Sequence, residues 1–76
     1  MEVQIFQKGR RNPLTVEDLK KIQYFSVVED GQQTLDDNFS SFSLNNVVSE
    51  VKFIGMPETV IIRAEEIESI VFDEGF

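Results

Sequence analysis

Two β-rich runs near the carboxyl end constrain the fold of this chain more than any other feature. Residues 59–62 read Thr-Val-Ile-Ile and residues 69–72 read Ser-Ile-Val-Phe, and β-branched and aromatic residues are enriched in strands. The intervening residues 64–66, Ala-Glu-Glu, combine poor strand propensity with good helix propensity. The pattern predicts a strand, a single helical turn and a final strand.

The length of the chain leaves room for one domain, residues 1–76. A domain of this size buries only roughly 60 to 65% of the surface that its unfolded chain exposes. The 41% of hydrophobic residues, with seven Phe among them, can supply a core, because chains that stay disordered combine low hydrophobicity with high charge. We predict a folded domain of small stability margin, which self-association would reinforce.

The residue inventory excludes several classes of function. The sequence contains no Cys and no His, which removes disulfides, thiolate ligands, cysteine nucleophiles and imidazole catalysis. No apolar run approaches the roughly 20 residues of a membrane span, and the acidic start lacks the basic and apolar regions of a signal peptide. We predict a cytoplasmic, non-enzymatic protein without a cofactor, a metal or membrane association.

The net charge of −7 is unevenly distributed along the chain. Residues 1–21 hold five of the seven basic residues against three acidic ones, a balance of +2, so the other 55 residues carry −9. Such segregation can select partners by the sign of their charge, although a solvated acidic surface that keeps a small domain soluble has the same composition. The summed charge argues against direct nucleic-acid binding, because it repels a polyanion.

Several segments before the final strand also have strand character. Residues 1–6, for example, alternate as a half-buried strand does. The predicted strands are residues 1–6, 22–29, 32–35, 48–54 and 59–63. Asp30-Gly31 predicts a tight type I′ turn between the second and third of these, and residues 55–58, Gly-Met-Pro-Glu, predict the turn of another hairpin.

Residues 14–19 carry the local chemistry of a helix start. Thr15 can cap the first turn, and Asp18 lies three residues later, where a carboxylate meets free backbone amides. Leu14 can also pack on Leu19 across that turn. We therefore predict one short helix over residues 16–21.

Residues 36–46 are polar and yet contain Phe39, Phe42 and Leu44. We interpret the segment as a long ordered loop whose aromatic side chains cap the core. The helical spacing of its aromatic residues with the preceding leucine leaves a short helix as an alternative. If exposed, Phe39, Phe42 and Leu44 would form a docking patch; Phe76 is a further aromatic residue that strand alternation does not explain.

Together these elements predict a mainly β, small α+β domain with a single antiparallel sheet or a small barrel and one short helix. In residues 60–72, VIIRAEEIESIVF, Ile67 would fill the turn while Ile70 and Phe72 face inward. This segment resembles the closing strands of small SH3-like and Sm-like barrels. The resemblance implies a last strand that closes the sheet. It carries over no functional residues, because the Gly and Asn signature of the Sm loop and the Trp-containing groove of SH3 domains have no counterpart here.

The densest acidic set comprises Glu65, Glu66, Glu68, Asp73 and Glu74. A hydrolytic pair of carboxylates needs a pocket that holds one of them protonated, and so small a domain offers little concavity. We expect these acids to form a solvated rim or to recognise a basic partner. The run Asp36-Asp37-Asn38 lacks the spacing of an EF-hand loop, so it predicts no metal site.

The sequence therefore predicts a protein-interaction module that works by docking or by self-association, through a sheet edge or through the loop patch of Phe39, Phe42 and Leu44. The alternative is an acidic mimic of nucleic acid, such as phages and other mobile elements encode, which occupies the basic groove of a DNA- or RNA-binding protein. Ionic strength distinguishes the two hypotheses, because salt weakens a charge-based complex far more than an apolar one.

Overall fold

The computed structural model describes residues 1–74, so Phe76 lies outside the described residues. Seven strands account for most of this part of the chain, which confirms the prediction of a mainly β fold. The strands are β1 (Glu2–Gln7), β2 (Leu14–Val16), β3 (Lys21–Ser26), β4 (Gln32–Leu35), β5 (Val47–Ile54), β6 (Thr59–Arg63) and β7 (Ile67–Asp73). Three single 3₁₀ turns complete the regular structure: Phe39–Ser41, Leu44–Asn46 and Ala64–Glu66.

The strands form two antiparallel sheets. One sheet has three strands in the order β2-β1-β7, and the other has four in the order β4-β3-β5-β6. Residues 1–74 therefore divide their strands between two sheets, and these do not close into a barrel. The first and last strands are neighbours, with Glu2 opposite Asp73 and Ile5 opposite Ile70.

The core lies between the inner faces of the two sheets. Phe53, at its centre, is fully buried and faces Ile22 on β3 and Val60 on β6. Residues at alternate positions of a strand share a face, so six of the seven strands contribute one or two buried side chains to this layer, and β4 contributes the half-buried Leu35. The buried apolar residues are Val3, Ile5, Val16, Leu19, Ile22, Phe39, Val51, Phe53, Ile62 and Ile67.

The short helix predicted over residues 16–21 is wrong. Residues 14–16 form β2, in which Val16 pairs with Val3 of β1 and is fully buried. Asp18 has a φ of 50°, in the left-handed region, which a right-handed helix does not contain. The burial of alternate side chains against β1 outweighs the local capping chemistry, because propensity is a weak influence beside tertiary packing.

The hairpin predicted between β3 and β4 is present, but its turn differs from the prediction. Phe25 pairs with Gln32 and β3 ends at Ser26, so five residues connect the strands instead of two. Gly31 has a φ of 106°, whereas Asp30 does not adopt the positive φ that a type I′ turn requires. The Ser26 hydroxyl accepts the backbone N–H of Val28 at 3.1 Å and thereby helps to end β3 earlier than predicted.

The carboxyl-terminal half follows its predictions closely. Ile54 pairs with Thr59 across the four-residue turn 55–58, as predicted for that hairpin. The 3₁₀ turn Ala64–Glu66 separates β6 from β7 and confirms the strand, turn and strand pattern. β7 is longer than its β-rich run, because Ile67 pairs with Gln7 at the start of the strand.

Residues 36–46 adopt neither one continuous helix nor a structureless loop. Asn38, with a φ of 50°, precedes the turn Phe39–Ser41, and Ser43 precedes the turn Leu44–Asn46. Phe39 is 8% exposed and belongs to the core. The prediction that this segment caps the core is confirmed for that side chain.

Across residues 1–74, none of the helical segments has the length and hydropathy of a transmembrane helix.

Candidate docking surface

A cleft opens between β7 and the segment that carries the predicted loop patch. Phe42 and Leu44 form one wall, while Ile70 and Phe72 of β7 form the other, and all four side chains are half-buried. The volume of the cleft is about 370 Å³, and its lining residues are Ser40, Phe42, Ser43, Leu44, Asn45, Ile70 and Phe72. Phe39, the third residue of the predicted patch, lies in the core instead.

The loop wall of the cleft is held by aromatic packing and a short cap. The ring of Phe42 packs edge to face on Tyr24, with centroids 5.0 Å apart, and on Phe53, at 6.3 Å. The Ser43 hydroxyl accepts the backbone N–H of Asn45 at 3.3 Å and so caps the turn that presents Leu44. These contacts attach the wall to the inner face of the four-stranded sheet.

The opposite wall is set by strand register. Ile70 lies across from Ile5, and Phe72 lies across from Val3, so both side chains point to the inner face of the three-stranded sheet. Ile5 and Val3 are fully buried, whereas their partners on β7 are only half-buried. The loop wall covers the inner face of β7 incompletely, and the cleft is the uncovered part.

β7 is also an edge strand. It pairs with β1 on one side, and within residues 1–74 no strand pairs with its other side. An unpaired edge presents backbone N–H and C=O groups that can bond to another chain. The cleft therefore lies beside a row of backbone groups able to extend the sheet.

The predicted acidic set lies along the same edge. Glu65 and Glu66 belong to the turn that leads into β7, Glu68 and Asp73 lie within the strand, and Glu74 follows it; all are exposed. Glu65 lies 3.7 Å from the Arg63 guanidinium, but both side chains are about three-quarters exposed, at 75% and 72%. Such a pair contributes only about 0 to 1 kcal/mol, so it leaves the edge strongly acidic.

The arrangement offers recognition chemistry. The five carboxylates are spread along the edge and do not converge on the cleft, whose lining contains no acidic residue. Within the part of the chain that the structure describes, no three acidic side chains come close enough together to hold a metal ion. What the surface can do is attract cationic groups to a border that also accepts apolar side chains.

The structure thus brings together two features that the sequence presents separately. Phe42 and Leu44 are far from the acidic residues along the chain, and only the fold places them beside β7. Ile70 and Phe72 were expected in the core, because their alternation marks an inward face. Their partial exposure depends on how much of the inner face of β7 is covered by residues 42–45. That coverage cannot be predicted from the periodicity of the sequence.

A second unpartnered surface is the outer face of the four-stranded sheet. Phe25 and Ile61 project from it with 46% and 56% of their surface exposed. A shallow depression of about 200 Å³ lies between them, lined by Gln23, Tyr24, Phe25, Gln32, Ser49, Glu50, Lys52 and Ile61. The sequence predicted the strands that form this face but not the pairing that sets these side chains side by side.

No protein-family model, curated protein or solved structure matches this chain. Residues 60–72 do form a strand, a 3₁₀ turn and a strand, but the two sheets of residues 1–74 do not close into the barrel that the resemblance of this segment implies.

Proposed function

We propose that this chain is a non-enzymatic protein-interaction module that docks a basic partner along β7. The observation that carries the proposal is the shared position, on one edge strand, of the acidic residues and of the cleft whose walls are Phe42, Leu44, Ile70 and Phe72. The partner it fits has an apolar side chain that projects from a surface or segment rich in Lys and Arg.

Each part of the surface supplies a different contribution to binding. Burial of one Leu or Phe side chain in the cleft is worth roughly 1.5 to 3 kcal/mol. The edge adds backbone hydrogen bonds if the partner is extended. The carboxylates mainly raise the association rate and reject acidic partners. A partner that lacks either the apolar or the basic feature binds weakly.

The charge of the edge also argues against pairing between two β7 strands. Antiparallel pairing of two copies brings Glu68 of one strand towards Asp73 of the other, and like charges across a sheet destabilise it. Charged side chains are a common means of protecting exposed edges. The acidic residues therefore favour a partner surface of opposite charge.

Titration with designed peptides, followed by amide NMR shifts, tests this function. The probe is an extended peptide that alternates Lys with Phe or Ile, and its controls replace Lys by Glu or replace the apolar residues by Ser. We expect shifts at residues 42–45 and 68–72 with the probe and at least tenfold weaker binding of both controls. The variants Leu44→Ser and Glu68→Lys should each lower the affinity for the probe by a similar factor.

The proposal would be overturned by equal affinity for the three peptides, or by binding that neither variant weakens. The absence of any shift at millimolar probe would overturn it as well. Arg11→Glu, which lies away from the cleft, is the matched charge-reversal control and should leave the affinity for the probe unchanged.

A second candidate function is the acidic mimic of nucleic acid, as mobile elements encode. The exposure of the carboxylates from Glu65 to Glu74 supports it, because a mimic presents a row of negative charges to a basic groove. A complex of this kind rests on exposed charges, so its affinity should fall steeply between about 50 and 200 mM salt, where those charges are screened. It should also tolerate Leu44→Ser, whereas apolar docking should not.

A further inference from the structure

The outer face of the four-stranded sheet has a charge opposite to that of the protein as a whole. Residues that alternate with the buried ones face outward, and the charged residues among them are Lys21, Glu50, Lys52 and Arg63. Three cations against one anion give this face +2, so the rest of a chain with net charge −7 carries −9. A cationic face is therefore concentrated on one side of an acidic molecule.

Strand register places the apolar residues of this face next to its cations. Lys52 on β5 lies between Gln23 on β3 and Ile61 on β6. Between the pairs Tyr24–Val51 and Ser26–Val47, the single residue Phe25 faces three residues of β5. This irregularity leaves Phe25 without a regular cross-strand neighbour on β5, so its ring projects from the sheet.

These features complement the β7 surface of the same protein. We propose that the basic partner docked along β7 is a second copy of this chain, which presents the outer face of its four-stranded sheet. Phe25 or Ile61 of one copy enters the cleft walled by Leu44 and Ile70 of the next, and the cations beside them meet the acidic edge. This inference rests on the proposed function and names the partner of that same surface.

The contact is heterologous, because the two surfaces lie on different sheets of one molecule. Each copy offers one acidic edge and one basic face, so the contact can repeat and gives a closed ring or an open filament. A stable interface buries about 800 Å² per partner, and the described chain exposes 5171 Å² in total. Two such surfaces would together take up about 1,600 Å² of this area, and they adjoin where Arg63 meets Glu65.

Sedimentation velocity and light scattering at low ionic strength test the proposal. We expect the wild-type chain to exceed the monomer mass of 8.7 kDa in a concentration-dependent manner and to return towards it as salt is added. Lys52→Glu disables the face and Leu44→Asp disables the cleft, and each alone should give a monomer. Phe25→Ser is a second face variant with the same expectation, and circular dichroism checks that each variant is folded.

Mixing the two disabled proteins gives the sharpest outcome. The Lys52→Glu copy keeps its cleft and edge, and the Leu44→Asp copy keeps its face, so one productive contact remains and a one-to-one dimer should form. The unused surfaces are a face without net charge and a cleft that carries an added carboxylate, so they do not complement each other and cannot extend the dimer. Arg11→Glu makes the same charge change as Lys52→Glu at a residue that lines neither the cleft nor the outer face of the four-stranded sheet, and it should assemble like the wild type.

Three results would overturn the proposal: a monomer at every concentration, assembly that survives Lys52→Glu and Phe25→Ser, or a mixture that stays monomeric. If the designed basic peptide still binds along β7 in those cases, the proposed docking function is retained and only the proposal that the partner is a second copy is rejected. If neither peptide nor second copy binds, both proposals fall.

Discussion

Phe42 meets Tyr24 edge to face, with ring centroids 5.0 Å apart and ring planes at 72°. Tyr24 lies on the inner face of β3, and Phe42 forms a wall of the cleft beside β7. The pair therefore connects the docking surface to the four-stranded sheet, and its geometry is the one that aromatic quadrupoles favour. A substitution that loosens the cleft wall should therefore lower the stability of the core.

This connection predicts the effect of shortening Phe42. Phe42→Ala should lower the free energy of unfolding by about 2 to 3 kcal/mol, less than a fully buried Phe, because the side chain is only half-buried. Phe42→Leu should lower it by about 1 kcal/mol. A double-mutant cycle with Tyr24→Ala, measured by urea denaturation, should give a coupling energy of roughly 0.5 to 1.5 kcal/mol. Strict additivity would show that the ring pair contributes nothing specific.

Gly55 predicts a large effect from one added methyl group. A Cβ at this position would overlap the Val16 side chain and lie 2.5 Å from the Glu17 carbonyl oxygen. Gly55→Ala should therefore destabilise the fold by about 2 to 3 kcal/mol, as overpacking does. Gly9→Ala is the control: Gly9 has a φ of +77° and open space around it, so strain alone should cost about 1 kcal/mol. Equal thermal shifts in the two variants would contradict the steric explanation.

The parts of this fold that the sequence predicts well are those determined by local pattern. The alternation of residues 1–6, the turn at 55–58 and the two runs around 64–66 each correspond to elements of the structure. The helix over 16–21 failed, because Val16 gains more from burial against β1 than local capping can supply. The tight turn at Asp30-Gly31 failed because β3 ends at Ser26, where the hydroxyl binds the following amide.

The candidate surfaces were less predictable, because they depend on distances between elements. The acidic residues are visible in the sequence, but their alignment with the cleft requires β7 to lie beside residues 42–45. The basic face requires the register that sets Lys52 between Gln23 and Ile61. Neither relation leaves a periodic trace, since the residues involved come from separate parts of the chain.

Asn38 adopts a left-handed conformation before the first 3₁₀ turn, and here a substitution by glycine should not destabilise the fold. Asn38 has a φ of 50° and a ψ of 47°, and no side-chain hydrogen bond caps the turn from it. Asn38→Gly should leave stability unchanged within a few tenths of a kcal/mol or raise it slightly, because glycine adopts this conformation freely. Asn38→Ala should cost about 1 kcal/mol. This explanation would be refuted if chemical denaturation gave Asn38→Ala a higher free energy of unfolding than Asn38→Gly.

The like charges along the acidic edge should reduce the stability of the fold. Glu66→Gln removes one of several like charges around the start of β7 and should raise the free energy of unfolding by about 0.2 to 0.5 kcal/mol at low salt. The gain should shrink at 0.5 M salt, where exposed charges are screened. Glu17→Gln, next to Lys20 and Lys21 in the chain, should give no such gain. A gain that does not depend on salt would point to a cause other than charge.

The pairing of the first strand with the last determines when the three-stranded sheet can be completed during synthesis. The four-stranded sheet occupies one continuous stretch of chain, residues 21–63, whereas the three-stranded sheet needs β1, β2 and the much later β7. During synthesis β1 can pair with β2 early, but Val3 and Ile5 lack their partners on the other side, Phe72 and Ile70, until β7 has left the ribosome. Because β7 also supplies one wall of the cleft and much of the acidic edge, the candidate docking surface is complete only after the last strand has paired with the first.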